Sequence, residues 1–449
     1  MNKELLINKI KKLLDDNSMI NCYNYEEYYV RTKKIKKTVD IFLDKYIENN
    51  LVNLKTNVII FDDDFNGNVD NLSNIVTHLT FGEKFNQSVD NLPCSITHLT
   101  FGYNFNQSVD DLPCSITHLT FGYNFNKSVD NLPNSIIYLK FGENFNQPVD
   151  NLPNSITHLT FGNCFNQLVN NLPRSITRLT FGDDFNKPVD NLPNSIIHLT
   201  FGLEFNRTVN NLPNSIISLT FGYYFNRTVD NLPNSITHLT FEYNFNQTVD
   251  NLPNSITHLT FGHCFNKSVD NLPKSIISLT FGHSFNKSVD NLPNSITHLT
   301  FGYYFDKSVD NLPNSITHLT FGHYFNKSVD NLPKLITYLS LGFYFDKQIV
   351  NLPSLIKYLY IQNINKYFNN DVLKRIKYVL SYDHLYINYP KCKIDDSEDI
   401  ISSNIFIYKN EMLGSVIFEE LTKYVFNPQR LIRYAEKYNL TFDEYLEFL

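Results

Sequence analysis

Nine histidines stand at one point of a 20-residue period: His78, His98, His118, His158, His198, His238, His258, His298 and His318. Imidazole is the commonest metal ligand and titrates near neutral pH. The first chemistry to test is therefore metal binding, with His263, His283 and His323 following nearby. A structural metal site needs a closed ligand shell and supporting hydrogen bonds. Here the column is expected to be open and flat, and Arg178, Ser218 and Ser278 interrupt it. No metal and no cofactor is expected. Catalysis has no foothold either, because Ser, His and Asp recur as structural positions. No solitary nucleophile, paired carboxylate or phosphate-cradling glycine loop breaks the pattern. What remains for the histidines is a half-exposed strand face on which a ring with a polar edge is accepted, Tyr138, Tyr338 and Tyr358 taking the same place.

The elements that position these residues follow from the period. Residues 61–360 hold fifteen copies of a unit whose commonest form is F-G-Y-N-F-N-x-S-V-D-N-L-P-N-S-I-T-H-L-T. Such a unit is too short to bury its own apolar face and must lend it to its neighbours, so the array is a solenoid. Leu99 and Phe101 alternate with His98, Thr100 and Gly102, the period-two pattern of a strand with one buried face. The fold class expected is mainly β, a parallel β solenoid, with neighbouring strands about 4.8 Å apart. Phe105, Val109 and Leu112 give further inward columns, and Pro93, at a position held by proline in fourteen units, suits a turn entering the next strand.

Asn106 recurs in thirteen units, replaced by Asp306 and Asp346, and reads as a ladder whose amides satisfy turn backbone by donating and accepting. Several of these asparagines lie in N-x-Ser/Thr triplets, such as Asn86-Gln87-Ser88, but an inward-facing side chain argues against glycosylation. Glycine at the strand end is replaced by Asp62 and Glu242, so it is not needed for positive φ; it keeps the outer face low.

Net charge is −7, which removes the general attraction to phosphate backbones that drives non-specific nucleic-acid binding. The basic run Arg31, Lys33, Lys34, Lys36 and Lys37 reads as a solvated helix face. Cys94 and Cys114 occupy equivalent places in adjacent units, and six cysteines are too few and scattered for a disulfide framework, so they are read as reduced thiols. No 18-residue apolar stretch and no signal-peptide pattern is present, so neither secretion nor membrane insertion is expected.

The pattern I-x-x-L-x-F-G-x-x-F-N, preceded by L-P-x-S, resembles the FNIP repeats of social amoebae and giant viruses, a branch of the leucine-rich repeats. Phe145-Asn146-Gln147-Pro148 and Phe185-Asn186-Lys187-Pro188 carry the F-N-x-P signature itself. The resemblance implies a leucine-rich-repeat-like horseshoe used for protein binding, with no catalytic residues to carry over; with neither secretion nor membrane insertion expected, the location expected is the cytoplasm of a host cell. Giant-virus members often begin with an F-box that docks on the ubiquitin-ligase machinery. Residues 1–50 lack its early Leu-Pro, since every Leu-Pro of this chain lies inside the repeats. They are read instead as two helices, about 3–16 and 25–49, capping the sheet. The organisation expected is a helical cap over 1–55, the solenoid over 56–360, and a mixed segment over 361–449 that ends in helices, with the period lost from 361 onward.

Differences between units locate the function. The two positions after each strand vary freely, as in Glu83-Lys84, Tyr103-Asn104, Asp183-Asp184, Tyr223-Tyr224 and Phe343-Tyr344, while inward positions barely change. This ridge beside the His/Thr face is where partner specificity would lie. The candidate protein-binding residues are His98, Tyr103, His118, Tyr123, Tyr223, His298, Tyr303, His318 and His323. The expected function is a non-enzymatic protein-interaction scaffold, viral and acting on host proteins. Its rivals are a ligase substrate receptor with a degenerate F-box and a virion-surface spacer.

Overall fold

The computed structural model describes residues 57–361, with residues 376, 378–380 and 385–387. The helices expected in 1–55 and near the C-terminus lie outside the described residues. Two compact units divide the chain, Met1–Ile356 and Lys357–Leu449.

In the first unit, short strands recur every 20 residues from Val58–Ile60 to Tyr338–Ser340, all in parallel and in identical register. The expected fold class is the one observed, a leucine-rich-repeat-like parallel β solenoid. No helix occurs among the described residues. Strands are this short because a coil closes through three tight turns. Phe105 N–H donates to the Gly102 carbonyl at 3.3 Å, Leu92 N–H to Val89 at 3.4 Å, and Ile96 N–H to Pro93 at 3.1 Å. The recurrent proline thus opens the turn that enters the strand, where its fixed φ helps and its missing N–H costs nothing.

Coils are tied to one another by backbone and side chain alike. The Thr77 carbonyl accepts from both Thr97 N–H (2.8 Å) and His98 N–H (3.0 Å), and Ser95 Oγ donates to the Val76 carbonyl at 2.6 Å. The asparagine ladder exists, but in a simpler form than expected: each Oδ1 accepts the backbone N–H one coil on, as from Asn126 to Asn106 at 2.9 Å. An acceptor is all the position needs, which explains why Asp306 substitutes without loss and still takes the Asn326 N–H at 2.9 Å.

Leu99, Phe101, Phe105, Val109 and Leu112 point inward as the alternation predicts. Ile96 adds a column that the period-two reading did not assign, fully buried because the turn before the strand tucks it under the sheet. Phe101 stacks on Phe105 at 3.7 Å within the coil, and both continue as columns along the array. Burying one such ring contributes roughly 1.5–3 kcal/mol.

Ring spacing gives the sense of curvature. Equivalent rings of adjacent coils are 4.2 Å apart for His98 and His118, 5.7 Å for Phe101 and Phe121, and 6.1 Å for Phe105 and Phe125. Coils therefore fan outward from the strand face, and the histidine side is concave.

The glycine column has a different reason from the one expected. None of these glycines sits in the left-handed region; a Cβ on Gly182 would instead run into the backbone carbonyl of Gly162 in the coil before. Close coil stacking on the concave side demands glycine. Where Glu242 departs from the rule, the two strands before it lengthen to four residues, Ser218–Phe221 and His238–Phe241, and Glu242 N–H reaches the Phe221 carbonyl at 3.2 Å.

In the second unit, Tyr358–Tyr360 pairs in parallel with Tyr378–Leu380, again 20 residues on, and Leu385–Ile387 then pairs antiparallel. The period was expected to end at 361. The Phe-Asn and Leu-Pro parts of the signature do end, but Ile376 and Val379 hold the places of Ile356 and Leu359, Ile376 is buried, and parallel pairing persists one strand further. A reversed strand then covers the edge that the last parallel strand would leave open.

Candidate protein-binding face

The concave face is assembled from three adjacent positions of each coil: the outward strand residue, the glycine, and the two turn residues that follow. At the first, His98 lies between His78 and His118 with ring centroids 4.2 Å away on each side. The same stacking joins His238 to His258 and His298 to His318, both at 4.3 Å.

Each stack is oriented from below. Thr97 Oγ1 donates to the Thr77 carbonyl at 3.1 Å and sits 2.9 Å from His98 Nδ1. With the hydroxyl proton committed to the carbonyl, Nδ1 carries the imidazole proton and donates to Oγ1, which leaves Nε2 as an acceptor. The arrangement recurs at His118, His258 and His318. Burial, then the neighbouring rings His118 and His78, push His98 below the ordinary imidazole range. His258 is lowered by burial, then by His238 and His298, and His318 by burial, then by His298. Burial thus favours the uncharged form of His98, His258 and His318, in which Nε2 accepts.

The ridge forms a second column. Tyr103 stacks on Tyr123 at 4.6 Å, after which Glu143, Asn163, Asp183 and Leu203 break the run of rings. From Tyr223 it resumes without interruption: Tyr223–Tyr243 at 4.3 Å, Tyr243–His263 and His263–His283 at 4.2 Å, His283–Tyr303 at 4.5 Å, Tyr303–His323 at 4.6 Å and His323–Phe343 at 4.5 Å. His283 Nδ1 is buried within this stack without a hydrogen-bond partner.

The candidate residues therefore fall into an N-terminal group of His98, His118, Tyr103 and Tyr123, and a C-terminal group of His298, His318, Tyr303 and His323 to which Tyr223 is joined by the ring column. Four exposed tyrosines, Tyr224, Tyr304, Tyr324 and Tyr344, were not among the candidates, although Tyr304 and Tyr344 are 48% and 50% exposed. Tyr304 stands edge-on to Tyr303, and Tyr324 edge-on to His323. The signal for them was in the sequence, at the second of the two variable positions. From Tyr304 to Tyr344 these second-position rings form a looser stack of their own, Tyr304–Tyr324 at 5.4 Å and Tyr324–Tyr344 at 4.9 Å.

Between the two ring groups the face is charged. Glu143, Asp183, Asp184 and Glu204 lie there with Lys140 and Arg178, and Glu242 follows within the second ring run, beside Tyr243. No ion pair joins these residues to one another, the ion pairs among the described residues being Lys84–Asp64, Lys327–Asp306 and Lys347–Asp346. Burial and then the charge of Asp183 raise the Glu242 carboxyl above the usual range, although the residue as a whole is exposed. Asp183 and Glu242 lie three coils apart. Among the described residues no three His, Cys, Asp or Glu side chains are grouped to hold a metal ion, and no helix is long and apolar enough to cross a membrane.

A family model described as FNIP Repeat matches ten segments of the chain, 65–104, 85–110, 105–144, 128–164, 165–204, 188–224, 225–264, 265–304, 288–324 and 305–344. Among solved structures the chain is similar to CroV588 of the giant virus CroV, described as a novel circular LRR protein structure, at 44% identity and a TM-score of 0.64. That match covers 71% of this chain and 55% of CroV588, so the chain spans about half the length of that protein. YopM from Yersinia enterocolitica matches at 18% identity and a TM-score of 0.44, over 65% of this chain and 66% of YopM. A leucine-rich repeat protein from Bacteroides ovatus matches at 10% identity and a TM-score of 0.20, over 67% of this chain and 82% of that one. No curated protein matches the chain.

Proposed function

The chain belongs to the FNIP-repeat family, and on that premise we propose that it is a non-enzymatic protein-interaction scaffold whose concave face binds a partner protein. The likeness to a giant-virus protein supports a viral chain, and its partners on this reading are host proteins in the host cytoplasm. One observation carries the reading: inward columns repeat almost unchanged, while the exposed ridge differs from coil to coil and concentrates tyrosine and histidine between Tyr223 and Tyr344. A fold needing only to span distance has no use for that variation. Tyrosine is well suited to recognition because it supplies large contact area at low entropy cost.

The test is affinity capture from host lysate with the full chain, followed by measurement on the purified partner. Replacing Tyr303, His323, His298 and His318 together by alanine should weaken binding by about 2 kcal/mol or more while leaving the melting temperature unchanged. A partner whose affinity is untouched by this cluster, and by the matching one at His98, Tyr103, His118 and Tyr123, would move binding off the concave face. If every such change is silent in infection, the array is a spacer.

A further inference from the structure

Glu242 breaks the strongest local rule of the array. At its position thirteen regular coils carry glycine, because a side chain there meets the backbone of the coil before. The departure has a visible effect: the two neighbouring strands lengthen, and the Gly262 position is brought hard against the Glu242 carbonyl. Residues that break a local rule at a packing cost are expected where function requires them.

Its surroundings define what it would meet. Glycines occupy the position before and after it, which leaves a side-chain-free trough between the strand position and the ring position of successive coils. Glu242 is the one residue with a side chain at this position between Gly82 and Gly342. No described residue donates a hydrogen bond to its carboxylate or pairs with it as a cation. Asp183, Asp184 and Glu204 add negative charge in the coils before it, offset in part by Arg178, the Tyr223–Tyr243 stack stands beside it, and His238 and His258 occupy the adjoining strand column. Carboxylates, ring-nitrogen acceptors and tyrosine hydroxyl oxygens close together complement a cation with several N–H donors.

We propose that the trough receives an extended, arginine- or lysine-bearing segment of a partner protein, with the cation seated on Glu242 beside the Tyr223–Tyr243 stack. The inference rests on the protein-binding reading above and deepens it by naming the partner's chemistry. A bare glycine floor lets a partner backbone approach closely, which suits an extended segment better than a helix.

The experiment uses the full chain and two fluorescein-labelled decapeptides, one alternating Arg and Gly and one alternating Glu and Gly, with binding read by fluorescence anisotropy. The Arg/Gly peptide should bind and the Glu/Gly peptide should not. Glu242→Gln should weaken the Arg/Gly peptide by about tenfold or more, as expected when one partner of a charge pair is neutralised. Asp64→Asn, removing an exposed carboxylate at the far end of the array, should change it less than about twofold. Glu242→Gly should lose the peptide equally and melt at a higher temperature than the wild type, which shows that the loss is not unfolding. Equal affinity for the two peptides, or a Glu242→Gln variant that binds as the wild type does, overturns the proposal. A purified partner that is weakened by the Tyr303/His323 cluster but not by Glu242→Gln likewise refutes the cation seat while leaving the protein-binding face standing.

Discussion

At the scale of single residues, the array separates side chains that hold it from side chains it merely displays. Phe181 is packed 3.8 Å from Phe185 and lies 5.6 Å from both Phe161 and Phe201, so its removal opens a gap that two neighbouring coils cannot close without sliding. Phe181→Ala should cost roughly 3–5 kcal/mol in a urea titration. Thr180, on the opposite face of the same strand, contributes a backbone carbonyl to Phe161 N–H, and that bond survives truncation of its side chain. Thr180→Ala should therefore cost little, and equal effects of the two changes would mean that inside and outside are reversed. Asparagine in the ladder belongs to the first class by a different route, since losing its Oδ1 orphans a backbone donor in the next coil.

At the scale of the element, the stacked strand column turns single imidazoles into a coupled group. His98, His198, His258 and His318 are all lowered, first by burial and then by neighbouring charge, Arg178 being the next cause for His198. In the unfolded chain these rings titrate near the ordinary value of about 6.5. Between that value and the depressed folded ones, the unfolded state binds more protons, so stability is fully present above about pH 6.5 and is lost as pH falls through the folded values. Urea midpoints should thus be lower at pH 5.5 than at pH 7.5, and replacing His98 and His258 by glutamine should flatten the dependence. A midpoint that does not move would show that the exposed edges of the stacks are fully screened. Asp270 and Asp310, lowered by hydrogen bonds from Ser268 and Ser308 and then from Asn291 and Asn331, act in the same direction but in a more acidic window. Glu242, being raised, works the opposite way.

At the scale of the whole repeat unit, each coil touches only its neighbours, so stability should be nearly a sum over coils and their interfaces. Removing residues 121–140, one complete period, joins Thr120 to Phe141 with every column and ladder intact. That deletion should leave a cooperatively folded protein with the same circular dichroism per residue and a smaller denaturant slope. Removing 121–130 alone puts Asn131 where Phe121 stood and should abolish folding of the array. If the two deletions behave alike, the coils do not act as independent stacking units.

How much of this was legible in the chain follows from which interactions are local. A strict 20-residue period fixes a solenoid, and alternation within one unit fixes which face Leu99 and Phe101 take, because both consequences need only geometry inside a coil and identity between coils. The variable ridge was legible for the same reason, as the set of positions that escape repetition. Curvature was not, since it depends on the difference between ring spacings of 4.2 Å on one side and 6.1 Å on the other, a property of packed neighbours. Nor was the true reason for glycine, which lies in the carbonyl of another coil, 20 residues away. The additional strand at Tyr378–Leu380 is harder to read because only part of the signature survives there: Ile376, Tyr378 and Val379 keep the places of Ile356, Tyr358 and Leu359, while the Leu-Pro and Phe-Asn positions have been replaced. Sequence determined the repeating coil and its two faces; only the tertiary structure decided how closely coils approach on the concave side, and hence which rings meet and what Glu242 displaces.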